Sequence, residues 1–382
     1  MNAINKAGFL GCCLMIGFMS YGNSSEPPTE VLVAAYNARS FEKVKADFVC
    51  NGTNDERVIN AAIARLVYGG MVRLADGDYN IDAFEQEGSS AVLFGYNDGM
   101  TRVITVRGTT ESKVYGKARG AILHVTEKAM KAMTTNTTYR VFYGAGRIPE
   151  GPGDTYTYTH VNNVNFINFI IRFHDASKPL IGIDGRHFGS MELDMIGVYT
   201  ERYFPQRYEH LPITTPYEGS IGVYSLPGSN DESARNRYNE VNVGGLHTGF
   251  VLDEVDHLVM TGCMAARCVY GYHFRNGSPK TLTMINCCDE GCTHLPLFSG
   301  RGGHVTMIDF NVERFNAAYI PIDPSGRPGG HAREERPGTW RGELTYTLQG
   351  NAFDVQKCEN GMRSNFWSEG CGRNFRTRNL AD

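Results

Sequence analysis

The chain has 382 residues, 41% of them hydrophobic and 20% charged, with a formal net charge of -4. This is ordinary globular composition with apolar material for a large core, and it lacks the basic stripe that nucleic-acid binding needs. The supply of Gly (44), Tyr (20) and Phe (20) favours strands and turns over helices.

The opening MNAINKAGFLGCCLMIGFMSYG carries Lys6, an apolar run from Ala7 to Met19 and then small residues, the layout of a secretory signal over residues 1–22 with cleavage after Gly22. The run is too short to span a bilayer. A lipoprotein reading through Leu10-Gly11-Cys12 is weaker, because only a few apolar residues precede Cys12. The expectation is a secreted or periplasmic protein in which disulfides are permitted. Eight cysteines remain: Cys50, Cys263, Cys268, Cys287, Cys288, Cys292, Cys358 and Cys371.

Residues 23–45 read as an N-terminal linker, and 46–82 as a capping unit. In ERVINAAIARL, Val58, Ile59, Ala62, Ile63 and Leu66 share one face of a helix, with Asn54 and Asp55 as caps in front. GGMVRLADGDYNI then supplies a turn and a strand. Residues 83–382 read as a repeat. LVMTGCMAARCVYGYHF (258–274), LTMINCCDEGCTHLPLF (282–298) and VTMIDFNVERFNAAYIP (305–321) align three apolar columns: Met260, Met284, Met307; Cys263, Cys287, Phe310; and Cys268, Cys292, Phe315. VNFINFIIRF fits through Phe166 and Phe169, and VNVGGLHTGF more loosely through Val243 and Leu246. A period near 23 with fixed apolar columns is what a parallel β-solenoid requires, since no turn of the coil buries its inner face alone. A β-sandwich would not keep three matched columns at constant spacing.

Like side chains on neighbouring parallel strands lie about 4.8 Å apart, slightly beyond disulfide range. Cys263/Cys287 and Cys268/Cys292 are therefore expected as buried thiol ladders, while Cys358 and Cys371, outside the ladder, are the best candidates for a bridge. Zinc is rejected, because no His shares the columns.

Candidate chemistry follows in chain order. In TYTYTH, Tyr156 and Tyr158 alternate on one face and offer rings for sugar stacking, although alternation is also plain strand propensity. IGIDGRHFG brings Asp184, Arg186 and His187 within four residues: an acid, a cation and an imidazole, on a strand or at its exit. A solvated turn explains the same residues. Residues 203–237 break the pattern as a loop excursion, with Tyr203, Arg207, His210 and Arg237 on it, and 323–341 is a second excursion. LDEVDH carries Asp253, Glu254 and Asp256, which read as a charged turn or as oxygen ligands for Ca2+. His247, His273 and His294 are singletons. Glu290 and Glu313 share one column, with Asp289 beside Glu290 and Arg267 and Arg314 in the next column. Two stacked carboxylates flanked by arginines read either as an acid pair holding an anionic substrate or as a surface ion-pair ladder.

The run Ala46-Asp47-Phe48-Val49-Cys50-Asn51-Gly52-Thr53-Asn54-Asp55, followed by AAI, Gly69-Gly70 and Gly77-x-Tyr79, resembles the N-terminal signature of right-handed parallel β-helix proteins of the pectate-lyase-like superfamily. The resemblance implies an all-β, single-stranded right-handed β-helix with an N-terminal capping helix. Its members include polysaccharide lyases, glycoside hydrolases, epimerases, tailspikes and proteins without activity, some of them homotrimers and some calcium-dependent. The polygalacturonase strings (an Asn-Thr-Asp, an Asp-Asp pair and a Gly-His-Gly) are missing. The expectation is a polysaccharide-cleaving enzyme, a lyase on a uronic-acid glycan ahead of a hydrolase, with a non-catalytic glycan-binding appendage as the third reading. No nucleic acid and no membrane span enter it.

Overall fold

A computed structural model describes residues 27–95, 102–110, 120–144, 163–201, 216–225, 236–253, 257–275, 281–290, 292, 297–299, 304–313, 343–349 and 363–367. These residues form an all-β protein in which every strand pair is parallel, apart from one isolated antiparallel bridge between Gln86 and Ser90. Three long sheets result, the architecture of a parallel solenoid. Sheet one runs from Glu30–Ala34 through Gly70–Leu74, Val103–Gly108, Asn163–Ile167, Ser190–Asp194, Asn236–Asn239, Leu258–Thr261, Thr281–Ile285, His304–Glu313 and Glu343–Gln349 to Arg363–Trp367. Sheet two runs from Gly77–Ile81 through Ala121–Val125, Phe169–Phe173, Gly197–Thr200, Asn242–Gly244 and Met264–Ala266 to Cys288–Glu290, and shares the long strand His304–Glu313 with sheet one. Sheet three stacks Ser90–Phe94, Tyr139–Gly144, Leu180–Asp184, Ile221–Tyr224, Thr248–Asp253, Tyr270–Arg275 and Leu297–Ser299.

The expected methionine column is present. Met260 is the strand partner of Met284, and Met284 of Met307. The row continues backwards through Tyr238, Leu193, Phe166, Val106, Val72 and Val31, all buried. Phe166 thus takes its expected place. The alignment of 241–250 needs correction: Tyr238, not Val243, precedes Met260, and Val243 partners Ala265 on sheet two. The aromatic Tyr238 escapes a search for aliphatic residues at this position. Cys263, Cys268, Cys287 and Cys292 are free and buried, as the column geometry requires, and burial pushes the Cys263 and Cys292 thiols up so that they stay protonated. Cys358 and Cys371 lie outside the described residues.

Two devices turn the chain at the corners. Between sheets one and two, Asn168, Met195, Glu240, Gly262 and Asn286 each adopt positive φ (50–60°), and each amide donates to the carbonyl of the next turn, so the corner is itself a stacked ladder. Within sheet three, Gly182, Gly222, Gly249 and Gly271 stack. A Cβ on Gly249 would lie 2.6 Å from the Gly271 carbonyl oxygen and 2.7 Å from Val243. Only glycine lets sheet three approach the Val198–Val243–Ala265 row of sheet two this closely.

The stretch expected as a linker, 23–45, instead contributes the first strand, Glu30–Ala34, and helix α1, Ser40–Lys45. Val31, Val33 and Ala34 are fully buried there, a strand too short to reveal itself by alternation. Helix α2, Asp55–Arg65, buries Ile59, Ala62 and Ile63, with Leu66 just beyond its end. Its polar residues take the place of missing strand neighbours. Asn60 Nδ2 donates to the Ala91 carbonyl (2.7 Å) while its Oδ1 accepts from the Leu93 amide (2.9 Å). Asp55 accepts from the Asn80 amide (2.8 Å), and Glu56 from that of Asp82 (3.1 Å). The edges of Gly77–Ile81 and Ser90–Phe94 are thereby satisfied. Asn54 does not act as a side-chain cap.

Burial pushes the Glu56 carboxyl up to about 7, against the Asp82 amide that favours the charged form. Because the folded state then holds a proton that the unfolded state has lost, stability falls as pH rises from about 4.5 through 7, by about 3 kcal/mol for this group. Urea midpoints at pH 5 and pH 8 should differ in that sense, and Glu56→Gln should shrink the difference. An unchanged difference would remove Glu56 as its source.

The excursion expected at 203–237 is not one loop. Residues 216–225 return to the coil and carry the strand Ile221–Tyr224, and Asn236–Asn239 begins the next turn. The excursion at 323–341 lies outside the described residues.

Candidate functional site

Sheet three places one outward row in register: Leu93, Tyr143, Asp184, Tyr224, Val251 and His273. Parallel pairing sets their neighbours about 4.8 Å apart. Asp184 is fully buried at the centre. Its Oδ2 accepts from Arg140 Nε at 2.7 Å and from Arg186 Nη2 at 2.5 Å, and its Oδ1 accepts from Arg186 Nε at 2.8 Å. Each guanidinium also lies over a tyrosine ring, Arg140 over Tyr143 at 5.0 Å and Arg186 over Tyr224 at 4.4 Å. The Tyr224 hydroxyl donates to Asp253 Oδ2 at 2.6 Å, and His187 packs edge-on against Tyr143 with ring centroids 5.2 Å apart.

The electrostatics divide the roles. Burial alone would push the Asp184 carboxyl up, but the hydrogen bonds and charges of Arg186 and Arg140 outweigh it and hold it below the ordinary value. Asp184 is therefore an anchor for two cations, not a proton donor. Burial, aided by the two arginines and opposed by Asp184, lowers the His187 imidazole and keeps it neutral near pH 7. Burial raises Tyr143. Two guanidiniums flank one buried carboxylate beside a neutral base, with the Glu87 carboxylate acting on the same imidazole and Asp253 reached through Tyr224; the arginine side chains are 17% and 32% exposed.

The structure thus joins Asp184, Arg186 and His187, as expected, and links Asp253 to them through Tyr224. Arg140, Tyr143 and Tyr224 were missed. The signal for Tyr224 was present as a short repeat: IGID (181–184), IGVY (221–224), TGFV (248–251) and YGYH (270–273) align glycine on glycine, which places Tyr224 next to Asp184; Arg140 and Tyr143 lie in RVFY, which has valine at that position.

Glu290 and Glu313 are partners on adjacent strands of sheet two, as the column alignment expects. Their row runs back through Ala266, Gly244, Tyr199, Arg172 and His124. Asp289 is a correction. Strand alternation turns it inward, into the row of Val198, Val243 and Ala265; it is buried, packs over Gly271 and interacts with Cys292. It cannot meet a substrate beside Glu290. Arg267 sits at a corner with φ 52°, and its amide donates to the Glu290 carbonyl at 2.8 Å. The glutamate pair lies on a different sheet from Asp184, so the two groups do not form one site.

Tyr156, Tyr158, Glu254, Asp256 and Arg314 lie outside the described residues. Of the expected calcium ligands only Asp253 is described, and its Oδ2 accepts from the Tyr224 hydroxyl; among the described residues no three His, Cys, Asp or Glu side chains are grouped to hold a metal ion. Among the same residues no helix is long and apolar enough to cross a membrane. Comparison of the chain with models of protein families, with curated proteins and with solved structures finds no match.

Proposed function

We propose that this protein is a secreted enzyme that cleaves an acidic polysaccharide by β-elimination at the outward face of sheet three. The reading includes a right-handed coil of the pectate-lyase-like kind, with α2 as the lid on its N-terminal end. One observation carries the functional part: Asp184 holds Arg140 and Arg186 side by side, next to the neutral imidazole of His187. In this reading the guanidiniums neutralise a uronate carboxylate, which acidifies the neighbouring C5 proton. His187 removes that proton, a C4–C5 double bond forms as the C4–O bond breaks, and the imidazolium returns the proton to the departing oxygen. Tyr143 and Tyr224 hold the guanidiniums in place through their ring faces.

The test is incubation with uronate and neutral polysaccharides, read by ultraviolet absorbance of the unsaturated product and by reducing ends. Both signals should rise together on a uronate polymer. His187→Ala and Arg186→Ala should each lower kcat/KM by about 10²-fold or more. The base must be unprotonated, so activity should rise with pH and reach its plateau at a pH lower than an ordinary imidazole would give. New reducing ends without ultraviolet absorbance, unaffected by His187→Ala, would contradict this reading. They would support hydrolysis by Glu290 and Glu313, which are partners on adjacent strands. Polymer binding without product at any pH would support the appendage reading.

A further inference from the structure

A second cluster lies on sheet two and takes no part in the site above. Glu201, directly after the strand Gly197–Thr200, reaches two histidines from earlier turns. Its Oε2 lies 2.9 Å from His174 Nδ1 in a hydrogen bond. Its Oε1 lies 2.5 Å from His124 Nε2, a close contact without hydrogen-bond geometry. Arg172 is the strand partner of His124 on the same outward row, and Tyr199 is the partner of Arg172. The three titratable side chains are 26–34% exposed, so the cluster is open to a ligand without being fully solvated.

We infer that Glu201 and His174 form a second saccharide-binding centre, in which an oriented imidazole accepts a hydrogen bond from a ligand hydroxyl and Arg172 stands beside it to meet the charge of an acidic saccharide. A carboxylate takes a hydrogen bond only from a ring nitrogen that carries a proton, so Glu201 fixes His174 as the Nδ1–H tautomer. The Nε2 lone pair is then the ring's acceptor, and it takes a hydrogen bond from a ligand hydroxyl. Glu201 is a positioning residue, and His124 closes its second oxygen. The ligand class rests on the reading above, but the centre uses neither His187 nor the arginines of sheet three.

The experiment is long-range proton–nitrogen NMR on the full chain with labelled histidine, together with titration by tetragalacturonate. Wild type should show His174 protonated on Nδ1, and the probe should shift its ring signals saturably. Glu201→Ala should move the proton to Nε2 and weaken that titration at least tenfold. Glu201→Gln, which retains an acceptor, should preserve the tautomer, and Arg186→Ala should leave the titration unchanged. A wild-type His174 protonated on Nε2 would overturn the proposal. Ring signals unmoved by the probe, in a protein still cleaving uronate polymer through Arg186 and His187, would overturn it while leaving the sheet-three reading intact. Loss of both responses would remove both.

Discussion

Asp184→Ala is expected to destabilise the protein by about 3–5 kcal/mol. The substitution leaves Arg140 and Arg186 facing each other without the carboxylate that both bind, and Asp184 itself is fully buried. Partial exposure of the arginines lets water recover some of the loss, which places the effect toward the lower end of that range. Arg186→Ala added to Asp184→Ala should cost less than the sum of the two, because one uncompensated cation is removed. The sign of the pH effect also follows. The folded Asp184 carboxyl lies below its ordinary value, so its stabilisation is present above about pH 4 and is lost as pH falls through the folded value. Urea midpoints at pH 7 and pH 3 should show a smaller mutant effect at pH 3 than at pH 7. Equal effects at both would mean that packing, not charge, explains the loss.

Tyr272→Ala is expected to cost about 4–5 kcal/mol. The ring is fully buried, stacks on Phe250 with centroids 5.1 Å apart at 9°, and meets the edge of Phe310 at 5.4 Å. Its hydroxyl lies 3.0 Å from the carbonyl oxygens of both Cys263 and Cys288. Tyr272 therefore ties sheet three to the corner between sheets one and two. Tyr272→Phe keeps the stacking and loses only the hydroxyl, so it should cost about 1–2 kcal/mol. If both variants lost the same amount, the hydroxyl rather than the ring would be the main contributor, contrary to this account.

The sequence disclosed the features that repeat as side-chain identity. Met260, Met284 and Met307 are legible because three turns use one unusual residue, and the thiol pairs for the same reason. Glu290 and Glu313 came with them. Features that repeat as backbone conformation were harder to read. The corner residues Asn168, Met195, Glu240, Gly262 and Asn286 share a positive φ but little side-chain chemistry, so no residue column reveals them. The direction of Asp289 depends on where the strand Cys288–Glu290 begins after that corner, a shift of one residue that exchanges inside for outside. The stacked glycines of sheet three went unread, and its functional residues are supplied by different turns. Arg140 and Asp184 stand 44 positions apart and meet only because Arg140–Tyr143 pairs with Ile181–Asp184. Local spacing found Asp184, Arg186 and His187 because they occupy one turn, and it missed Arg140 and Tyr224 because they do not.

Both the sheet-three cluster and the Glu201 centre exist only if consecutive turns of this chain lie directly upon one another in the register described. Selective carbon-13 labelling of methionine methyl groups, with each signal assigned by a Met→Leu substitution, tests that most directly. Nuclear Overhauser contacts are expected from Met284 to both Met260 and Met307, each one strand away, and a far weaker one between Met260 and Met307, two strands apart. Failure of Met284 to touch either neighbour would contradict the register, and with it the placement of every side chain proposed to act.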